Sequence, residues 1–351
     1  MPLDWSALSH AYGPATDLPD LLRALRSTDS SSRAEAAEQF RARALHQDTI
    51  YPATVAAVPF LIELLADDHA PDRTLGHELL ADILPDLSPA RPHPLGPRLH
   101  ELAERRSDLY LGRRHEIEPV LRQAHEAVRA GVPTFVSLLG NDDRDARGLS
   151  AHLLSFFPEE APRVVPALTA RLAVEPDRVV ASVLALTAGM IGDPADAALV
   201  AAVAGVDRSA RIRRWTVLMG LARLTPEPGS EMLAELTDCL FHGPTELSGW
   251  PFHQENPAHG ASLALGDLTV RSEPVLAPLL LAGLAAGGED PSRFLYAVEL
   301  LLSLAFPDGP RPDDAALTPL QEATARAVHD SGLAELYAVA RLLSECNLSA
   351  A

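Results

Sequence analysis

Apolar residues recur along the chain at three- and four-residue intervals, and no stretch keeps the alternation of apolar and polar positions that a half-buried strand needs. The pattern predicts helix after helix, an all-α fold. Glycine and proline, 21 and 30 of them, fall mainly between these segments or in their first turns, where they break or start helices.

One block of sequence repeats. Val58-Pro59-Phe60-Leu61-Ile62-Glu63-Leu64-Leu65 is followed by Asp67-Asp68, and Val132-Pro133-Thr134-Phe135-Val136-Ser137-Leu138-Leu139 by Asn141-Asp142-Asp143. A third copy, Val165-Pro166-Ala167-Leu168, closes at Leu172 before Asp177. The prolines stand 74 and then 33 residues apart, two repeat lengths and one. Ala198-Leu199-Val200 and Met232-Leu233-Ala234 continue the step more weakly, and Val275-Leu276-Ala277-Pro278-Leu279-Leu280 regains the proline. An acidic residue, an arginine and a second apolar helix follow the blocks: Asp29 with Arg33, Asp143 with Arg147, Asp177 with Arg178, Asp207 with Arg211. A proline near the first turn starts or kinks the first helix of a pair, and the Asp of the intervening turn caps the second.

These features resemble the HEAT-repeat family, including the bacterial HEAT-like repeats of phycobilin lyases, over residues 17 to 305. The resemblance implies an α-solenoid, a superhelix of HEAT-like helical hairpins forming a single domain over 1–351. Each repeat then contacts only its neighbours, and the stack presents a long concave face used for binding. It also implies arginines paired with acidic residues of neighbouring repeats. Two stretches break the period: an irregular polar helical insertion at 85–131, entered through Pro85, Pro89, Pro92, Pro94 and Pro97, and a loop insertion at 241–260. A long loop inside a repeat array that carries Trp250 and Phe252 reads as functional rather than disordered.

Charge narrows the partners. With 29 basic against 48 acidic side chains the net charge is −19, which disfavours nucleic acid and anionic membrane and favours a basic protein. All the basic residues are arginine, so Schiff-base, phosphate-loop and kinase chemistry, which need lysine, are excluded. Cys239 and Cys346 are too few for a disulfide framework. They fit a reducing compartment, and with a start lacking a basic-then-apolar leader and no apolar run of about 18 residues, a cytoplasmic address is expected.

The most enzyme-like feature is a set of His-Glu dipeptides at His77, His100, His115 and His125. Deoxyhypusine hydroxylase, a HEAT-like enzyme, holds two irons with such dipeptides in phase with its repeats. Here the gaps are 23, 15 and 10 residues and follow no period. On one continuous helix His100 and His125 would stand about 37 Å apart. A break at Asp108 to Gly112 would fold the two halves together. A third reading is a HEAT-like nucleic-acid-binding or glycosylase protein, for which the arginines around Trp215 are the one dense basic patch; Arg211, Arg214 and Trp215 share a helical face. No Gly-x-Ser-x-Gly elbow, phosphate loop or convincing metal-binding His spacing is present.

The sequence therefore points to a non-catalytic scaffold or adaptor that binds a basic protein, with no cofactor and no metal. Small bacterial HEAT-like proteins of this sort include immunity proteins that inhibit a toxin. The expected partner-binding residues are Trp250, Phe252, His253 and Gln254 in the late loop, Arg211, Arg214 and Trp215 on the basic helix, and His46, Gln47 and Tyr51 near the N-terminus, because aromatic and arginine side chains dominate binding surfaces. Trp5 and Tyr51 also suit a cap over the first repeat.

Overall fold

The computed structural model describes residues 3–46, 49–84, 114–225, 227–244, 250–252, 256–287, 291–307 and 316–348. They are predominantly α-helical; the strands among them are Ser9–His10 and Gly13–Pro14, a small antiparallel hairpin at the N-terminus. The described residues divide into two compact units, one reaching Val180 and the other beginning at Ala181. No helix among them is long and apolar enough to cross a membrane.

The first unit contains α1 (Leu18–Ala24), α2 (Ser30–Ala44), α3 (Pro52–Ala66), α4 (Thr74–Ile83), α5 (Arg114–Arg129), α6 (Val132–Leu138), α7 (Arg144–Leu154) and α8 (Ala161–Leu172). Consecutive helices pack as hairpins, α1 on α2, α3 on α4 and α6 on α7, while α1 also packs on α3, α2 on α4 and α4 on α7. Helices next but one in the chain are thus neighbours at α1 and α3 and at α2 and α4, while α7 takes the place beside α4. Phe40, Leu61, Leu65, Leu79, Leu80 and Phe135 are fully buried. Gly76 permits the α3 to α4 contact, since a Cβ there would lie 2.8 Å from the Leu61 carbonyl.

α9 (Arg178–Ile191) carries the division between units. The second unit continues with α10 (Ala197–Ala204), α11 (Arg211–Leu224), α12 (Ser230–His242), α13 (Pro257–Gly266), α14 (Thr269–Ala286), α15 (Pro291–Ala305), α16 (Pro319–Asp330) and α17 (Tyr337–Glu345). The same rule governs its packing. Here α12 lies on α13 and on α14, α13 on α15, α14 on α16, and α15 on α17. The α9 to α11 crossing is closed by a pair of glycines: a Cβ on Gly189 would stand 2.3 Å from the Gly220 carbonyl oxygen, so no larger residue fits.

The turns explain the recurring Asp and Arg. Asp29 caps α2 by accepting from the Ser32 N–H, Asp143 caps α7 from Asp145, and Asp177 accepts from Val179 and Val180 at the start of α9. Four residues after the cap, the arginine reaches back over the turn. Arg33 donates to the carbonyls of Ser27 and Thr28, and Arg147 to those of Asn141 and Asp142, groups the helices leave without partners. The repeated proline has no single place: Pro133 lies in the first turn of α6, but Pro59 and Pro166 sit inside α3 and α8, and α3 starts seven residues before its proline at Pro52.

Of the expected insertion at 85–131, residues 85–113 lie outside the described residues, and 114–129 form α5. From the late loop, residues 245–249 and 253–255 lie outside them as well.

Candidate functional site

Between the α3 to α4 turn and the α6 to α7 turn lies an open depression of about 490 Å³ lined by Asp68, Asp72, Asp142, Asp143 and Asp145, with Asn141 beside them and Arg73 as its one cation. It exists because α4 packs on α7 and sets the two turns side by side. Arg73, mostly buried, donates to Asp68 at 2.7 Å and to Asp143 at 3.3 Å, and Asn141 donates to Asp68 at 3.0 Å. The Asn141 amide, with the Arg73 guanidinium, holds the Asp68 carboxyl below its ordinary range. Arg73 is the one cation that lines the depression, and Arg144 pairs with Asp145 from outside it at 3.3 Å. Asp142 and Asp145 remain exposed at the rim.

A buried anchor stands behind this surface. Arg147 makes two 2.8 Å hydrogen bonds to Glu175, whose other contacts come from Arg171 and the Asp177 N–H. Burial raises the Glu175 pKa, but these donors outweigh it and bring it down to about 2. Further arginines tie helix to helix: Arg26 to Asp67, Arg41 to Glu78 and Asp82, and in the second unit Arg223 to Asp267.

The residues expected to bind a partner are placed differently. Trp250 and Phe252 are 2% and 0% exposed, with rings 5.6 Å apart. They are interior side chains rather than partner-facing anchors, because the large apolar area of both rings is better removed from water. His253 and Gln254 lie outside the described residues. Trp215 is also buried, beneath Arg211, whose guanidinium stands 4.6 Å from the ring centre. Arg211 pairs with Asp238 at 2.5 Å and Arg214 with Glu235 at 3.3 Å, so α12 neutralises the basic face locally.

At the N-terminus, His46 meets Tyr12 edge-on at 5.4 Å, and Tyr51 precedes α3, donating its N–H to Thr54 Oγ1. Gln47 lies outside the described residues. Trp5 packs against Phe60 at 5.9 Å. Nearby, His10 donates from Nε2 to Asp17 and accepts the Tyr12 N–H at Nδ1, which occupies both ring nitrogens and makes it a brace rather than a base.

The His-Glu dipeptides do not converge. His77 Nε2 is 2.8 Å from His152 Nδ1 in the core between α4 and α7, and His125 Nε2 is 2.7 Å from Glu159. His100 and the His115 side chain lie outside the described residues. Among the described residues no group of three His, Cys, Asp or Glu side chains is arranged to hold a metal.

No protein-family model matches the chain, and no curated protein matches it. A solved structure, the crystal structure of an engineered protein, aligns with 95% of this chain and 86% of its own at 18% identity and a TM-score of 0.34. These comparisons assign no activity.

A second polar locus was not singled out from the sequence. Glu299 is the one charged residue in the apolar run Phe294 to Phe306, and that isolation was its signal. Burial pushes its carboxyl up to about 7. A raised carboxyl favours the folded state below the ordinary value of 4.5, and that benefit is lost as pH rises from 4.5 to about 7. Glu299→Gln is therefore expected to raise stability at alkaline pH by about 2–3 kcal/mol and to leave it unchanged at acid pH, as chemical denaturation at the two pH values would measure.

Proposed function

We propose that the chain is a HEAT-like α-solenoid that works as a non-catalytic binding scaffold for a basic protein. The observation that carries this reading is the acid-lined depression between the two turns, five carboxylates against Arg73 within it and Arg144 beside it. Surfaces of one sign steer and select partners of the other, and they do so without displacing a buried counter-ion. The paired layers of helices, the capping Asp and the returning Arg support the solenoid part of the reading, since units that bury their faces against each other stack without limit. The local pairing of Arg211 and Arg214 weighs against nucleic acid as the partner.

The test is affinity capture from native lysate with the full chain, comparing wild type with the Asp142→Arg/Asp145→Arg variant at low and moderate salt. Both positions are exposed, so the variant keeps its fold. A basic protein enriched by wild type, reduced about ten-fold or more by the variant and weakened by salt is the expected result. Equal capture by both proteins would remove the turn surface from the reading.

A further inference from the structure

The second unit carries a feature that the acidic turns do not. On α15, Tyr296 and Glu299 are three residues apart and so lie on one face of the helix. The Tyr296 ring is stacked on His259 of α13, with ring centres 4.9 Å apart and planes 4° from parallel. Both rings and Glu299 are partly exposed. The carboxyl of Glu299 makes no hydrogen bond and no ion pair among the described residues. The helices packed against α15 carry His259, Asp238, His242, Glu273, Arg326 and Arg341, none of which is ion-paired or hydrogen-bonded with Glu299, and burial raises the carboxyl's pKa. An aromatic stack beside an acid with no counter-ion among the described residues is half of a cation site.

We infer that Glu299 and the Tyr296–His259 stack together receive an arginine side chain of the protein partner. The chemistry selects arginine over lysine. A guanidinium is planar, lies flat on an aromatic face, forks onto a carboxylate with two parallel hydrogen bonds, and gives up its weak hydration readily; an ammonium is a compact, strongly hydrated point charge. The incoming cation also supplies what the acid lacks, so Glu299 ionises as the pair forms and its proton passes to the buffer. The inference rests on the reading of the chain as a binder of a basic protein and adds the residue type that the second unit reads.

The test is titration calorimetry of the full chain with capped glycine-arginine-glycine and glycine-lysine-glycine peptides, at about pH 6 in two buffers of different ionisation heat. The expected result is binding of the arginine peptide with release of about one proton, binding of the lysine peptide about ten-fold weaker, and loss of both proton release and about ten-fold in affinity in Glu299→Gln. Glu299→Gln is isosteric, and a thermal melt confirms its fold. Equal affinity for the two peptides, binding without proton release, or a variant that binds like wild type would overturn the inference. If the Asp142→Arg/Asp145→Arg variant loses its basic partner while the peptide titrations overturn the Glu299 site, the general reading stands and this site alone falls. If wild type captures no basic protein, the general reading fails whatever the peptides show.

Discussion

Arg147→Ala is expected to lower the stability of the first unit by about 3–5 kcal/mol. The guanidinium is 6% exposed and the Glu175 side chain 0%, so water does not take over the lost bonds. Removing Arg147 also strips the carbonyls of Asn141 and Asp142 of their donor at the end of the turn. The cost is mainly that of a buried carboxylate left with fewer partners, rather than the net worth of the pair. Replacing both partners by apolar residues of similar size, Arg147→Met with Glu175→Leu, should therefore cost much less than the single change. The pH dependence follows with the same sign. Glu175 is held at about 2, below its ordinary 4.5, so its contribution is present above 4.5 and is lost as pH falls toward 2. Hydrogen exchange of the α7 amides reports the first unit directly. A single-variant cost under about 1 kcal/mol would show that solvent replaces the network.

Acid should loosen the same unit earlier, through His77. This imidazole is enclosed between α4 and α7 and shares one proton with His152, one ring donating and the other accepting. Burial pushes its pKa from 6.5 down to about 3. A depressed histidine favours the folded state above 6.5, and that benefit is lost as pH falls toward 3, because the unfolded chain takes up the proton first. Between about pH 6.5 and 4.5, before most carboxylates respond, the loss amounts to about 2–3 kcal/mol. Glu299 acts in the opposite direction over an overlapping range, so the measurement is the difference between wild type and the His77→Leu/His152→Leu variant. Both histidines are replaced because either one alone leaves a buried ring nitrogen without its partner. The variant is expected to lose this slope. A variant whose stability falls with pH as steeply as wild type would show that the pair does not titrate with unfolding.

Much of the architecture is written locally. The all-helical character follows from apolar spacing, the turn positions from Asp and Gly, and the caps at Asp29, Asp143 and Asp177 from residue type alone, because each depends on neighbours within a few residues. The arginine four residues after the capping Asp was legible for the same reason at Arg33 and Arg147, but at Asp207 the residue that answers is Arg213, because Arg211 is drawn to Asp238 on the next helix. The proline rule was less transferable, since a helix that packs well on both sides tolerates a proline at Pro59 that propensity alone would place at its start.

The site was not legible in that way. Trp250, Phe252 and Trp215 looked like binding anchors because aromatic residues are common both in interfaces and in cores, and only the packing around a ring decides between them. Arg211 and Arg214 looked like a basic patch until α12 set Asp238 and Glu235 opposite them. The carboxylates of Asp68, Asp142 and Asp145 belong to turns more than 70 residues apart in sequence, and stacking of the hairpins is what gathers them. The helices, their caps and the strongly acidic balance were readable from residue order alone, since composition and short-range geometry set them. Which charges are neutralised, which aromatic rings are hidden and which acid has no counter-ion among the described residues were set by tertiary packing, because each depends on which distant helix lies opposite.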